Sequence, residues 1–434
     1  MLHALQKDQL LYTGSGRTCQ IGSLLGSGGQ GEVYEVQMEG QPYALKWYYP
    51  EQATREQRQI LEDLVNRGAP TPRFLWPIDI VNSLDRTTFG YVMPLRESRF
   101  CGIVDMMRRK AEPSFRALAT AGYELADSYH QLHARRLCYR DISFGNVFLD
   151  PRTGEVRICD NDNVSIAGAD HSGVLGTPRF MAPEIVRGEA RPTPETDLFS
   201  LAVLLFYMFM MHHPLEGRRE AEIRCFDLPA MNKLYGFEPI FIWHPANDSN
   251  RPVPGLQDNA RVFWEVYPEF FKQAFTRVFT QGIQTPALRI QESEWRKIFV
   301  ELRDSIMYCG HCGAENFYDA ERLKTLQKPL CWACKKNILT PPRIRIGSSF
   351  VMLNHDSRLY PHHLGDTFNF GYPVAEVERH PQDPSIWGLK NLTQLPWTMV
   401  KQDGSQLEVP AGRRAVLGYG TRLQFGSVEG EIRV

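Results

Sequence analysis

The sequence lacks any surplus of charge. Across 434 residues, 49 Lys and Arg are balanced by 50 Asp and Glu, so the net charge is −1. Chains that bind nucleic acid usually carry a basic surplus, and segments that bind anionic membranes usually carry a polybasic run. Neither feature is present, so we expect no nucleic acid and no membrane among the partners.

Long apolar segments are also missing. The longest run, 198–211, has about 14 residues, which is short for a bilayer span and typical of a buried helix. The start of the chain lacks the basic residues and continuous apolar stretch of a signal peptide. Five of the nine cysteines are scattered, and the other four form two Cys-x-x-Cys pairs. This usage favours a reducing compartment, and we expect a cytoplasmic protein.

What is present is the composition of a packed globular protein, with 43% hydrophobic and 11% aromatic residues. The length exceeds one ordinary core and predicts two or three domains. Residues of about 15–95 read as strands and turns around one helix at 54–65, where Thr54 and Gln57 have capping-box spacing. The next 200 residues are mainly helical, with helices predicted over 113–134, 196–211 and 257–280. After Pro341-Pro342, short alternating strands predict a small β-sandwich.

A glycine-rich segment lies between two of the early strands. Its sequence is Gly26-Ser27-Gly28-Gly29-Gln30-Gly31, and it predicts a hairpin whose bare backbone can approach phosphates closely. Lys46 follows in the alternating strand 43–47, from which its ammonium can reach α- and β-phosphates. The competing interpretations are a Gly-rich surface hairpin and a solvated lysine.

Two further fragments carry acidic and amide groups at informative spacing. Asp141 and Asn146 are five residues apart, after a predicted helix and before the apolar run 147–149. Asp160 follows Asn146 by 14 residues and ends another apolar stretch. An aspartate can accept the proton of a substrate hydroxyl, and carboxylate and amide oxygens can hold Mg²⁺. Taken singly, each aspartate would be interpreted as a turn former.

In this order, the fragments resemble the eukaryotic-like protein serine/threonine kinases over residues of about 15–303. The resemblance extends to Gly176–Glu184, which looks like the substrate-binding loop and its closing motif. Asp197 looks like the residue that braces the catalytic loop, and Arg289 like the arginine that pairs with Glu184. The resemblance implies a bilobal α+β protein-kinase fold over 1–306, with lobes at about 15–95 and 96–303. It also implies transfer of the γ-phosphate of ATP to Ser/Thr hydroxyls of protein substrates.

The resemblance also assigns roles to individual residues. Asp141 would be the catalytic base, Asn146 and Asp160 would bind Mg²⁺, for which Mn²⁺ could substitute, and Lys46 would orient ATP. Met93 would be the gatekeeper of the adenine site. The nucleotide-contacting set is Gly26, Ser27, Gly28, Gly29, Gly31, Val33, Ala44, Lys46, Met93, Pro94, Arg96 and Phe148. In that set the carbonyl of Pro94 and the backbone N–H of Arg96 would bind adenine, and Val33, Ala44 and Phe148 would sandwich the ring.

The sequence departs from the kinase pattern at several positions. Tyr139 replaces the usual His, and Ser143 stands where a Lys normally neutralises the γ-phosphate. Asp160-Asn161-Asp162 replaces Asp-Phe-Gly. These changes leave open a second hypothesis, a pseudokinase scaffold that works through its C-terminal modules.

Two regulatory contacts stay open in the sequence. The helix partner of Lys46 is not fixed, and Glu56, Gln57 and Glu62 are the candidates. The position of Arg140 would allow it to bind a phosphate on the activation segment, where the nearest hydroxyls are those of Ser172 and Thr177.

The clustered cysteines have zinc-ribbon spacing. Cys309 and Cys312 form one pair, Cys331 and Cys334 form the other, and 18 residues separate the pairs. Two such turns present four thiolates tetrahedrally, as in closed structural zinc sites. We predict a Cys₄ zinc ribbon over 307–338, with rubredoxin-like iron and a disulfide pair as the alternatives. His311 is interpreted as a turn residue.

The remaining segment, 343–434, resembles forkhead-associated domains in two stretches, Trp387–Thr393 and Leu417–Gly426. Such domains are small all-β sandwiches that bind phosphothreonine peptides. Here Gly371-Tyr372 replaces the Gly-Arg that opens the phosphate site, so a docking module is the expectation. The whole chain is similar to bacterial kinases encoded beside a PP2C-type phosphatase and a von Willebrand A-domain protein, which supplies these two as candidate partners.

Overall fold

The computed structural model describes residues 4–83, 87–166, 176–325, 329–365, 368–380, 382–383 and 386–433. The chain forms two compact units. The first unit comprises Met1–Phe263 with Gln273–Arg296, and the second unit comprises Trp264–Lys272 with Lys297–Val434. Within the described ranges, no helix has the length and apolar character that a bilayer span requires.

The first unit begins with six antiparallel strands that close into a barrel in the order β1-β2-β3-β4-β6-β5. In β3, Tyr34, Val36 and Met38 alternate with more exposed residues and face the core, as the period of a half-buried strand requires. The elements of this lobe are β1 (Leu10–Thr13), β2 (Thr18–Ser27), β3 (Gly31–Met38), β4 (Gln41–Tyr48), α1 (Arg55–Arg67), β5 (Asp79–Asn82) and β6 (Phe89–Pro94).

The predicted helix near residue 54 is confirmed as α1. Thr54 is its N-cap, and its Oγ1 accepts a hydrogen bond from the backbone N–H of Gln57 at 3.1 Å. Leu61 and Leu64 are the buried residues of its apolar face, and Gly68 ends the helix with φ 67°. Strand β1 was not predicted, because its alternation covers only four residues, of which Leu11 and Thr13 are buried.

The rest of the first unit is mainly helical. Its longest helix, α3, runs over 20 residues and is capped by Ser114. Fifteen residues of α5 are buried, so this helix is the centre of the lobe, and burial of each large apolar side chain stabilises it by roughly 1.5–3 kcal/mol. The elements that lie wholly in the first unit are β7 (Cys101–Gly102), α2 (Ile103–Met107), α3 (Phe115–Ala134), β8 (Leu137–Cys138), β9 (Val147–Leu149), β10 (Val156–Ile158), β11 (Ser165–Ile166), α4 (Pro183–Val186), α5 (Pro194–Met210), α6 (Arg218–Ala221), α7 (Leu228–Asn232) and α10 (Gln281–Gln284). Three further helices, α8 (Asp258–Val266), α9 (Glu269–Phe279) and α11 (Glu292–Asp304), each contribute residues to both units.

One helix prediction was wrong. The sequence pattern favoured a continuous helix over 257–280, whereas α8 ends at Val266 and α9 begins at Glu269. Pro268 lies in the gap. Proline lacks the N–H that a helix interior needs and disfavours helical geometry at the residue before it, here Tyr267.

Besides the two-stranded sheet of β12 and β13, the described part of the second unit contains two larger antiparallel sheets, ordered β15-β14-β23-β22-β19-β20 and β16-β17-β18-β21. Residues from both sheets form one buried cluster that includes Ile344, Leu389 and Trp397, so the predicted β-sandwich is present as a fold. The elements are β12 (Ile306–Tyr308), β13 (Glu315–Phe317), α12 (Ala320–Thr325), β14 (Arg343–Ile346), β15 (Ser349–Met352), β16 (Arg358–Leu359), β17 (Ala375–Arg379), β18 (Trp387–Asn391), β19 (Trp397–Val400), β20 (Gln406–Val409), β21 (Arg414–Val416), β22 (Arg422–Phe425) and β23 (Val428–Arg433).

The cysteine segment and the sandwich lie within the same compact unit. Cys309, Cys331 and Ile338 pack in a small cluster with Met352 of β15. The backbone N–H of Leu353 donates to the carbonyl of Pro342 at 2.8 Å, so the segment after the cysteines is hydrogen-bonded to the sandwich. The proposed division between 307–338 and 343–434 therefore stays a prediction.

Candidate functional site

The glycine-rich segment is the turn between β2 and β3, with Ser27 opposite Glu32 and Gly26 opposite Val33. A Cβ added at Gly31 would lie 2.0 Å from the carbonyl oxygen of Trp47, so the close approach of β4 requires glycine there. A Cβ added at Gly26, Gly28 or Gly29 would meet nothing within 4 Å. The protein's own packing does not require these three glycines, which fits a backbone left bare for a ligand.

Lys46 projects from β4 and is only 5% exposed. Its Nζ lies 2.8 and 3.1 Å from the two carboxylate oxygens of Asp162, 2.9 Å from Oε1 of Gln30, and 3.5 Å from Oδ1 of Asp160. Although burial alone would lower it, these carboxylates hold the pKa of Lys46 above its ordinary value. The lysine is therefore a buried cation beside the predicted metal ligand.

Asp160 and Asp162 lie in one short 3₁₀ turn but face different surroundings. The Asp160 side chain is 44% exposed, whereas that of Asp162 is fully buried. Asp160 has φ 50°, a left-handed conformation that costs energy for a residue other than glycine and often marks functional sites. Burial raises the pKa of Asp160, whereas Lys46 lowers the pKa of Asp162 against the effect of burial. Asp160 is thus the carboxylate available to a ligand.

The candidate base, Asp141, is held by two donors. Nδ2 of Asn146 donates to Oδ2 of Asp141 at 3.1 Å and to its backbone carbonyl at 2.9 Å. Oγ1 of Thr177 donates to Oδ1 at 2.7 Å. Since the amide nitrogen of Asn146 points to Asp141, its amide oxygen is the atom free to accept from a cation or donor. The contact with Thr177 was not predicted from the sequence, which indicated this residue only as a candidate phosphorylation site.

Asp197 holds the backbone just before Asp141. Its carboxylate accepts hydrogen bonds from the backbone N–H of Tyr139 at 2.5 Å and of Arg140 at 3.0 Å. His133 contacts both Asp197 and Glu292, one with each ring nitrogen. Burial alone would lower the pKa of His133, but these two carboxylates raise it to about 9. His133 and Glu292 were not identified from the sequence.

The pair of Glu184 and Arg289 forms as the resemblance implied. Both guanidinium nitrogens of Arg289 lie 2.8 Å from the carboxylate oxygens of Glu184, and Arg289 is fully buried. A bidentate, buried pair of this kind fixes the position of α4 relative to the end of the lobe.

Most of the predicted adenine-binding residues lie on barrel strands: Val33 on β3, Ala44 on β4, and Met93 and Pro94 on β6. Met93 is buried and pairs with Ala44 across β4 and β6, and Val33 pairs with Lys46 across β3 and β4. The guanidinium of Arg96 lies 4.0 Å from the centre of the Phe148 ring, and its Nη1 donates to the carbonyl of Phe100 at 2.6 Å. The assignment of these residues, with Pro94, to adenine binding stays a prediction.

Comparison with known proteins decides the family. A family model described as "Protein kinase domain" matches residues 19–258, which is more than half of the chain. The chain belongs to the protein kinase domain family. The match covers barrel strands β3 to β6 and most of β2, together with Lys46, Asp141, Asn146 and Asp160.

Individual relatives of this chain are similar over shorter lengths. Protein kinase gsk3 of Schizosaccharomyces pombe is 25% identical over 189 residues, which are 42% of this chain and 47% of the relative. The DNA damage-responsive serine/threonine-protein kinase RqkA of Deinococcus radiodurans is 27% identical over 212 residues, 46% of this chain and 31% of the relative. The serine/threonine-protein kinase PknK of Mycobacterium bovis is 32% identical over 116 residues, 26% of this chain and 10% of the relative. The chain thus spans less than half the length of each of these relatives.

The sequence predicts a partner for Lys46 on helix α1, but the structure places its charge partner elsewhere. Of the three candidates, Gln57 contacts the turn that carries Asp162: its Nε2 donates to the hydroxyl of Tyr48 at 3.2 Å and to the backbone carbonyl of Asp162 at 3.1 Å. The charge partner of Lys46 is instead Asp162. Of the two candidate phosphorylation sites, Ser172 lies outside the described residues, and the hydroxyl of Thr177 is engaged by Asp141.

The four clustered cysteines form a compact group. Their sulfurs all lie within 4.8 Å of one another, with Cys309 and Cys334 at 3.7 Å and Cys312 and Cys331 at 3.7 Å. Four thiolates about 2.3 Å from one tetrahedral zinc ion would be about 3.8 Å apart. All nine cysteines lie in the described ranges and are free thiols, so a disulfide pair is not present.

The two cysteine turns share one hydrogen-bonding pattern. The N–H of Gly313 donates to the carbonyl of Cys309, and the N–H of Lys335 donates to that of Cys331, at 2.8 and 2.9 Å. Gly313 and Lys335 both have positive φ, 75° and 61°. Burial would raise the pKa of the Cys331 thiol, but the backbone N–H groups of Cys334 and Ala333 lower it to about 6. Although the backbone N–H of Ala314 lowers the pKa of Cys312, burial and the neighbouring thiols raise it to about 11.

Asp304, His362 and His363 form a second group of ligand-type side chains in the second unit. The Nδ1 of His363 accepts from the N–H of Tyr360 at 2.8 Å, so its Nε2 carries the proton and donates to Asp304 at 3.0 Å. Both nitrogens of His363 are therefore occupied, and the group does not have the lone pairs of a metal site.

Proposed function

We propose that this chain is an ATP- and Mg²⁺-dependent serine/threonine protein kinase. The observation that carries the proposal is the convergence of four polar residues from three segments of the chain. Lys46 lies 3.5 Å from Asp160, and Asn146 lies 3.1 Å from Asp141. A buried cation, an exposed carboxylate and a fixed carboxylate–amide pair are the parts that phosphoryl transfer needs.

The chemistry assigned to these residues follows from their protonation and contacts. Asp141 accepts the proton of the substrate Ser or Thr hydroxyl as the hydroxyl oxygen bonds to the γ-phosphorus and the bond to the ADP oxygen breaks. An ionised carboxylate has about four lone-pair sites, so the donors Asn146 and Thr177 still leave Asp141 room for this proton. Lys46 exchanges its contact with the neutral Gln30 for the α- and β-phosphates, and the bare turn 26–29 covers them.

We call the group formed by Lys46, Asp141, Asn146 and Asp160 the cleft. Magnesium fits the oxygen ligands that this cleft offers. The exposed carboxylate of Asp160 and the free amide oxygen of Asn146 are hard oxygen ligands of the kind that Mg²⁺ prefers. Bound Mg²⁺ would neutralise negative charge on the β- and γ-phosphates. Mn²⁺ prefers the same oxygen ligands and could substitute.

Transfer of labelled γ-phosphate from ATP to a generic protein substrate tests the proposal. We expect Asp141→Ala to lower the rate by about 10²- to 10⁴-fold, the usual contribution of a general base. The control is Asp63→Asn, which removes an exposed carboxylate that pairs with Arg67 on the outer face of α1. Equal transfer by the wild type and Asp141→Ala would end the enzyme interpretation.

The alternative is a pseudokinase scaffold that works through its C-terminal modules. One observation favours it: the buried hydroxyl of Ser143 stands where a kinase of this type places a lysine near the γ-phosphate. A chain that binds ATP but transfers no phosphate above the Asp141→Ala background would support this second function.

We further propose that the four cysteines hold a structural zinc ion and that the sandwich docks other proteins. The sulfur spacing and the matched turns support zinc. A docking role is favoured over phosphothreonine binding because Tyr372 offers no charge to a phosphate at the position of the usual arginine. The PP2C-type phosphatase, the von Willebrand A-domain protein and the cytoplasmic location follow from the sequence and its resemblances alone.

A further inference from the structure

The ammonium of Lys46 has a defined charge partner in the cleft. An ammonium carries three protons, and the closest acceptors are the two oxygens of Asp162 and Oε1 of Gln30, all within 3.1 Å. Asp160 is more distant, at 3.5 Å. Because Gln30 is neutral, Asp162 is the carboxylate that compensates the buried charge of Lys46.

The side chain of Asp162 is itself held in place by burial and by hydrogen bonds. Its side chain has no exposed surface, and one of its oxygens accepts a hydrogen bond from the hydroxyl of Tyr48. Tyr48 is buried and also contacts Nε2 of Gln57. Gln57 therefore supports the carboxylate of Asp162 through Tyr48 and through the Asp162 backbone carbonyl, and contributes no charge of its own.

We propose that Asp162 is the positioning residue of the catalytic lysine, so that the turn carrying the metal ligand, and not helix α1, holds the Lys46 ammonium at the phosphate site. This inference rests on the proposed kinase function and deepens it. Asp162 does not touch the phosphates itself, because its side chain has no exposed surface, whereas that of Asp160 is 44% exposed.

The arrangement has a consequence for regulation of the site. Asp160 and Asp162 are two residues apart in a turn that is pinned by Asn161, whose Nδ2 donates to the carbonyls of Leu75 at 2.8 Å and Ile158 at 3.0 Å. A displacement of this turn therefore moves the metal ligand and the lysine anchor together. A displacement of α1 alone leaves the carboxylate on Lys46 in place, so the position of this helix does not gate the lysine.

Three variants test the inference. Asp162→Asn keeps the shape and removes the charge, Gln57→Ala removes the neutral support, and the double variant Asp162→Gly with Gln57→Glu moves the carboxylate from the turn to the helix. The readouts are KM for ATP, kcat, and the equilibrium affinity for a fluorescent ATP analogue. Asp141→Ala is included to establish whether the chain transfers phosphate at all.

We expect Asp162→Asn to weaken ATP affinity and raise KM by about 10- to 100-fold, the range for loss of a charged hydrogen bond. Gln57→Ala should change these values by no more than about threefold, since it removes a neutral contact only. The double variant should recover most of the loss, because the carboxylate introduced by Gln57→Glu can reach the ammonium once the Asp162 side chain is gone. Rescue of this kind distinguishes positioning of the lysine from a general structural role.

The experiments test the proposed role of Asp162, as the anchor of Lys46, separately from the kinase function. If phosphate transfer depends on Asp141 while Asp162→Asn binds ATP within threefold of the wild type, the anchor is overturned and the kinase function stands. If no transfer is detected, the affinity series still decides between an anchored and an unanchored lysine. Should Asp162→Asn fail to fold, a folded double variant with no affinity for ATP would overturn the inference.

Discussion

The cleft of the first unit gathers its polar groups from segments far apart in the chain, whereas the cysteine cluster of the second unit gathers its sulfurs from two short turns. Lys46 and Asp162 are 116 positions apart and meet only because the barrel and the 3₁₀ turn are both in place. Cys309 and Cys312, by contrast, are fixed by hydrogen bonds within one turn.

The difference lies in where each site obtains its stability. The cleft depends on the packed core around it, which supplies the energy needed to bury Lys46 and Asp162 together. The cysteine turns have only a small buried cluster, including Met307, Ile338 and Met352, and their order should depend on a metal. Removal of a ligand or a charge should therefore affect the two sites in different ways.

The largest effect is expected at the cysteine cluster. Cys331→Ser should abolish zinc binding, and loss of the ion would remove roughly 10–16 kcal/mol of folding energy from the turns. Metal analysis of the purified chain should find one zinc ion in the wild type and none in the variant. Cys225→Ser is the matched control, because this exposed thiol lies outside the cluster and should leave the metal content unchanged. A wild type that contains iron, or no metal, would contradict the zinc assignment.

A smaller, pH-dependent effect is expected from His133 in the first unit. Its folded-state pKa of about 9 lies above the ordinary value of 6.5, so the protonated ring stabilises the fold fully below about pH 6.5. This contribution should be lost as the pH rises through about 9, and it amounts to roughly 3 kcal/mol.

Denaturant unfolding from pH 6 to pH 9.5 checks this contribution. The wild type should lose stability across the window, and His133→Gln, which cannot titrate, should show a flatter profile. Parallel pH profiles for the two proteins would show that Asp197 and Glu292 do not hold a charged His133.

The smallest effects separate ligand binding from folding within the glycine turn. Gly31→Ala places a methyl group 2.0 Å from the carbonyl oxygen of Trp47 and should destabilise the first unit by about 1–3 kcal/mol. Gly28→Ala meets no atom within 4 Å and should leave the melting temperature unchanged while weakening ATP binding. Thermal melts with and without Mg·ATP measure both. An equal loss of stability in the two variants would mean that Gly28 is also a packing residue.

The same contrast explains what the sequence could predict. The cysteine turns and the glycine hairpin are set by neighbouring residues, so their spacing was enough to locate them. The anchor of Lys46 was sought on α1, because helical periodicity ranks only residues of that helix. Asp162 was interpreted as a departure from the kinase pattern, and nothing in its local sequence indicates that it returns to β4.

Other features were missed for related reasons. Thr177 and Glu292 reach Asp141 and His133 only through the tertiary fold. Strand β1 is too short for its alternation to stand out, and its pairing with β5 closes a barrel that the sequence did not indicate. The break at Pro268, in contrast, could have been predicted from proline alone.

The most direct test of the cleft is the magnesium dependence of ATP binding, measured by calorimetry in the wild type and in Asp160→Asn. The account predicts that Mg²⁺ strengthens ATP binding to the wild type at least about tenfold, and that Asp160→Asn, which weakens an oxygen ligand, loses most of this gain. ATP affinity that is the same with and without Mg²⁺, or that is unchanged in Asp160→Asn, would contradict it.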